Sequence, residues 1–145
     1  MATTGPLITE LWRAGTAPTL NGLYRADGSA RGAEVGGPDL PRFELGAPID
    51  LEVFLADDPE NDVVDVDIAA EAELPDGSGS VCCGYGDLGA DGFFARLDGE
   101  RNLRWIVMLL NSNPFVRVSV EGTVVTFVNN LDNTVTVDLT DPDFA

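Results

Sequence analysis

Residues 63–74 read VVDVDIAAEAEL, and the parity of their side chains decides the fold. Val64, Val66, Ile68, Ala70, Ala72 and Leu74 occupy one set of alternate positions, while Asp65, Asp67, Glu71 and Glu73 occupy the other. Successive side chains of an extended chain point to opposite faces, so this pattern predicts a strand with an apolar underside and an acidic outer face.

The same period extends in both directions. In IDLEVFL (49–55), Ile49, Leu51, Val53 and Leu55 alternate with Asp50, Glu52 and Phe54, which predicts a preceding strand. After the turn PDGSGS (75–80), the stretches VCCGY (81–85), GFFARL (92–97) and LRWIVMLL (103–110) predict three more. The last is apolar on both faces, as a doubly covered strand is. Asn111 to Pro114 breaks it. VRVSV and TVVTFVN then flank Glu121-Gly122 as a hairpin, NLDN turns the chain again, and TVTVDL (134–139) closes the series before a polar tail at 141–145.

The first 48 residues carry weaker signals. LITELW (7–12) reads as a strand or a short helix and GLYRA (22–26) as a strand. The Gly/Pro-rich SARGAEVGGPDLPRF reads as a covering loop. The chain is expected to be one all-β domain over residues 1–145, an antiparallel sandwich or partly closed barrel of about 7–10 strands with little helix. Within it, 1–48 forms an irregular covering segment and 49–140 the strand-rich core.

Composition restricts the chemistry. The 145 residues include no histidine, lysine or glutamine, and all eight basic residues are arginine. Catalytic arrangements built on histidine, Schiff bases and lysine-containing phosphate loops are therefore excluded. The start MATTGPLITELWRAG shows no signal-peptide pattern, and no stretch approaches the roughly 20 apolar residues of a membrane helix, which leads us to expect a cytoplasmic protein. A net charge of −17 argues against nucleic acid and anionic membranes as partners. It is compatible with solubility, with a high-salt cytoplasm or with a basic protein partner.

The acid is concentrated. Residues 1–48 carry a net charge of −1 and residues 101–145 of −2, whereas residues 49–100 hold fifteen acids against Arg96 alone. Such asymmetry favours a local electrostatic role.

The adjacent Cys82 and Cys83 look like the most reactive feature, yet in a strand they point apart. They are expected to be packing groups rather than a metal site, a disulfide or a nucleophile. ADDPENDVVDVD (56–67) fails the calcium-loop pattern, because a loop starting at Asp58 places Val63 at the sixth position and Ala69 at the twelfth. An irregular cation site in that loop stays open. No metal, cofactor or catalytic residue is assigned.

The remaining candidate is a surface. Pairing 49–55 with 63–70 in register places Glu52 opposite Asp67 and Phe54 opposite Asp65, like charges gathered around an aromatic. Asp50, Glu52, Phe54, Asp57, Asp58, Glu60, Asp62, Asp65 and Asp67 are the expected protein-binding residues. The corresponding function is a non-enzymatic acidic module, of the type of an immunity or inhibitor protein, that neutralises a basic toxin or nuclease. The alternatives are a structural β-sandwich that forms a homo-oligomer or larger assembly through edge strands such as 134–139, and a small enzyme using a cysteine or a carboxylate pair.

Overall fold

The alternating stretch becomes the longest strand of the molecule, but its neighbours are not those its charge pattern suggests. A computed structural model describes residues 6–58 and 60–145. The chain start MATTG and Pro59 of the acidic loop, both read above, lie outside the described residues. In chain order come helix α1 (Leu7–Arg13), strands β1 (Thr16–Pro18), β2 (Gly22–Arg25), β3 (Ala30–Glu34) and β4 (Glu44–Pro48), and helix α2 (Leu51–Ala56). Strands β5 (Val63–Glu73), β6 (Gly79–Gly86), β7 (Gly92–Asp98), β8 (Leu103–Leu109), β9 (Phe115–Glu121), β10 (Val124–Asn129) and β11 (Thr134–Asp138) follow, then a 3₁₀ turn at Pro142–Phe144.

Two open antiparallel sheets result, an eight-stranded one ordered β1-β5-β6-β7-β8-β2-β3-β4 and a three-stranded one ordered β11-β10-β9. The architecture is the expected sandwich-like all-β fold, with no closed barrel. Between the sheets lies one apolar cluster, with Val81, Cys83, Phe94, Trp105 and Val107 facing Phe115, Val125, Phe127, Val135 and Val137. The opposite face of the large sheet carries a second cluster, where Cys82, Phe93, Ala95, Ile106 and Met108 meet Ile8 of α1 and Leu51 and Leu55 of α2. Burial on both sides explains why 105–109 reads as continuously apolar. Among the described residues no helix is long and apolar enough to cross a membrane.

Four expectations need correction. Residues 49–55 do not form a strand: 51–56 form α2. Seven residues of alternating pattern also fit a helix, because Leu51, Phe54 and Leu55 stand at i, i+3 and i+4. Leu51 and Leu55 are buried and Val53 is 68% exposed. Asp50 supplies the cap, its carboxylate accepting the Val53 amide at 3.2 Å. The helix also removes the like-charge pairing of Glu52 with Asp67 that a hairpin would have imposed. The strand β5 pairs instead with β1, Thr16 opposite Asp65, and with β6, Asp67 opposite Tyr85.

Second, β5 is not one apolar face and one acidic face throughout. Ile68 pairs with Gly84 and Ala70 with Cys83, so Ala69 is an extra residue, a bulge that reverses the parity. Val64 and Val66 pack on the helix side, whereas Ala70, Ala72 and Leu74 pack between the sheets. The acids divide accordingly, Asp65 and Asp67 on one side and Glu71 and Glu73 on the other. Third, the first 48 residues contribute four strands and a helix, β2, β3 and β4 completing one edge of the large sheet.

Fourth, the chain end is not a tail. Phe144 is buried against Trp105, ring centroids 5.3 Å apart, and its carbonyl accepts from Trp105 Nε1 at 2.9 Å and Arg96 Nη1 at 3.2 Å. Arg25 donates to the Asp143 carbonyl, and Arg31 Nη1 meets the Asp143 carboxylate at 3.1 Å. Replacing Phe144 by Ala removes this ring from the inter-sheet cluster and is expected to lower stability by about 3 kcal/mol. Urea unfolding followed by tryptophan fluorescence measures it; an unchanged midpoint would show the closure to be ornamental.

Candidate functional site

The antiparallel registers bring particular loops to one end of the sandwich. Val66 faces Gly86, Gly92 faces Leu109 and Gly22 faces Met108, so the connections 19–21, 57–62, 87–91 and 110–114 share that end. Backbone bonds tie them together: Asn113 N to Ala90 O at 2.8 Å, Asn130 N to Pro114 O at 2.9 Å and Thr19 N to Asp62 O at 2.9 Å. Asn129, fully buried, ties the connection 110–114 to the β3–β4 and β10–β11 loops. Its amide donates to the carbonyls of Pro38 at 2.7 Å and Ser112 at 2.8 Å, and its oxygen accepts the amides of Leu131 at 3.0 Å and Asn133 at 2.9 Å. Loops fixed on a rigid sheet in this way are where binding residues are usually found.

Six of the nine expected residues arrive on this side. Asp57, Asp58, Glu60, Asp65 and Asp67 are exposed and Asp62 is half-buried. The Asp58 carboxylate binds its own turn through Asn61 Nδ2 at 2.9 Å. The other three lie elsewhere. Asp50 caps α2, and both Asp50 and Glu52 line a cavity of about 480 Å³ with Ile8, Tyr24 and Ser29, by the turn that links β2 to β3. Phe54 is half-buried against the helix-side cluster.

The exposed aromatic among the acids is Tyr85, the cross-strand partner of Asp67, at 38% exposure. The sequence does not mark it, because Tyr85 shares the alternation of the buried Val81 and Cys83 and differs only in lying beyond the covered part of β6. Leu88 and Leu131, 57% and 54% exposed, stand at the tips of adjoining loops.

Electrostatics distinguish this end from the other. Among the described residues the ion pairs are Arg31–Asp143, Arg42–Glu44, Arg101–Glu71 and Arg117–Asp132. None includes Asp57, Asp58, Glu60, Asp62, Asp65, Asp67 or Asp87. At the opposite end the acids are engaged in their own turns. In two Asp-Gly-Ser turns, the Ser29 and Ser78 hydroxyls, then the amides, hold the Asp27 and Asp76 carboxyls below the usual range. Backbone amides of Asn102 and Thr140 lead the same effect at Asp98 and Asp138.

Neither thiol belongs to a reactive site. Cys82 and Cys83 are buried in different clusters, and burial pushes each up to about 12, Glu71 adding to the effect at Cys82. Cys83 Sγ is 3.5 Å from the Arg117 carbonyl and donates to it. Phe115, which follows the Asn111–Pro114 break, is fully buried. Among the described residues no three His, Cys, Asp or Glu side chains are arranged to hold a metal ion.

One carboxylate here went unnoticed in the sequence. Asp91, at the base of the β6–β7 loop, is wholly buried with neither oxygen hydrogen-bonded. It backs onto Gly86, where any side chain would collide with it. In the sequence it is one of fifteen acids in the central stretch, with nothing to single it out. The chain matches no known family model, no curated protein and no solved structure, so the site rests on its own residues.

Two outcomes follow. Since a buried, unpartnered charge destabilises a fold, Asp91→Asn is expected to raise the urea midpoint, by about 1 kcal/mol in stability; a fall would mean that the carboxylate is held by a group supplied from solution. A disulfide reagent at neutral pH is expected to label the thiols only in urea, and rapid labelling of the folded protein would contradict their burial.

Proposed function

We propose that the chain is a non-enzymatic protein-binding module that presents the acidic loop end to a basic partner. The supporting observation is the absence, among the described residues, of any ion pair to the acids of 57–67, beside an exposed tyrosine and two exposed leucines. Five of the eight arginines are committed elsewhere: Arg25, Arg31 and Arg96 to the 3₁₀ turn, Arg101 to Glu71 and Arg117 to Asp132. Unscreened charge of one sign accelerates encounter with an oppositely charged surface, and aromatic and aliphatic anchors then slow its release. An inhibitor or immunity protein that occludes a basic toxin or nuclease would use this combination.

A second reading, assembly through an edge strand, is favoured by β11. It is an edge with neither proline nor bulge, whereas the edges β1 and β4 contain Pro18 and Pro48. Sedimentation over a range of concentrations separates the two, since assembly through β11 makes the mass concentration-dependent.

The decisive experiment is affinity capture from the native host at low salt. Wild type is expected to retain a basic protein that the variant with Asp57, Asp58, Asp62 and Asp67 reversed to Lys does not. With that protein purified, reversal is expected to slow association by about tenfold or more, the difference shrinking as salt rises. Equal association rates for both forms remove the electrostatic mechanism.

A further inference from the structure

Gly32 of β3 and Gly46 of β4 sit side by side at the register shift of the β3–β4 ladder, and no close contact demands glycine at either. Neither has a positive φ, and a Cβ on either would approach only backbone of the neighbouring strand, no nearer than 3.8 Å. Gly79, Gly84, Gly86 and Gly92 differ, since a side chain there would collide with backbone or neighbouring side chains. Glycine in a strand marks a bulge or a close approach from above, and at this register shift it leaves two adjacent bare positions on one face of the ladder.

Above them is a groove of about 580 Å³, walled by Leu20, Ile49, Leu110 and Pro48. At its mouth stand Glu34 and Glu44, both exposed and directly opposed across the β3–β4 ladder. Like charges in that relation repel, and the ladder would be better served by almost any other pair. Arg42 Nε lies 3.7 Å from Glu44 Oε2 with both side chains well exposed, and Glu34 has no ion-pair partner among the described residues.

We infer that this groove receives a long cationic side chain, arginine or lysine, from the protein partner. Its methylene stem would lie along the bare glycine floor between the aliphatic walls, and its charged head would sit between the two glutamates, relieving their repulsion. Long basic side chains are built for such a slot, with an apolar stem and a cationic tip. A guanidinium can also fork to two carboxylates at once. The inference rests on the reading of the chain as a binder of a basic protein, and it names a contact separate from the acids of 57–67.

The test titrates isotope-labelled protein with an acetylated, amidated Gly-Ser-Arg-Ser-Gly peptide, its lysine counterpart and its citrulline counterpart, following backbone amide shifts. Expected are shifts at Gly32, Glu34, Glu44, Gly46 and Leu110 with the arginine or lysine peptide and none with citrulline. The double variant Glu34→Gln, Glu44→Gln is expected to weaken binding about tenfold or more. Gly32→Val has room to fold, which an unchanged spectrum elsewhere confirms, and it fills the floor, so it too is expected to abolish the shifts. Shifts confined to 57–67 would overturn the groove while leaving the acidic surface intact as a binding site. Equal shifts with citrulline, or none with any peptide, would also overturn it. A partner captured by wild type and Gly32→Val alike would retire the groove without touching the broader reading.

Discussion

The stacking of Phe94 on Phe127 is the contact from which the rest of the structure is hung. Their centroids are 4.4 Å apart and their planes only 16° from parallel, while Trp105 and Phe115 present edges to Phe94 at 6.1 and 5.4 Å. Phe94 belongs to the large sheet and Phe127 to the small one, so the contact fixes the separation and alignment of the layers. With the sheets so placed, β9 lies over β5 and β6, and the Arg117 carbonyl reaches Cys83. Asn129, two residues beyond Phe127, drops among three loops and bonds to each of them. Trp105 turns its indole toward the Phe144 carbonyl.

Covering the large sheet on both sides also governs where charge can stand. The central strands β6, β7 and β8 have almost no exposed positions, so acids must live on flanking strands, in loops and on the helices. Part of the crowding of acid into residues 49–100 is therefore topological. Where those acids lie in tight turns, as Asp76 and Asp98 do, they stabilise local structure. Where they lie in 57–67, almost none of that engagement is present, and the contrast between the two ends distinguishes solvating charge from charge available to a partner.

The sequence made the class of fold readable wherever a strand was long or doubly buried. Residues 63–74 and 103–109 could be little else, and the divergence of Cys82 and Cys83 followed from parity alone. It failed where a short run satisfied two periods at once. Leu51, Val53 and Leu55 alternate, yet Leu51, Phe54 and Leu55 also make a helical face, and the cap at Asp50 decided between them. The bulge at Ala69 left no mark, because AA in the middle of an alternating strand looks the same with or without an extra residue. Its consequence was large, since it sent half of the acids to the opposite side. Phe144 was hidden by isolation: a lone aromatic among aspartates has no periodicity, and only the arginines and Trp105, distant in sequence, reveal what it fills.

The gripping of residues 143 and 144 bears on how the chain is made. Synthesis proceeds from the N-terminus, so both sheets can pair before the segment that plugs the inter-sheet layer has left the ribosome. Until then Trp105 lacks its carbonyl acceptor, and Arg96, itself mostly buried, keeps only its bond to the Ser78 hydroxyl. Final closure of this domain is thus a late step: the nascent chain can hold a loose, partly hydrated version of its native shape, and tight packing waits for residues 143 and 144 to emerge.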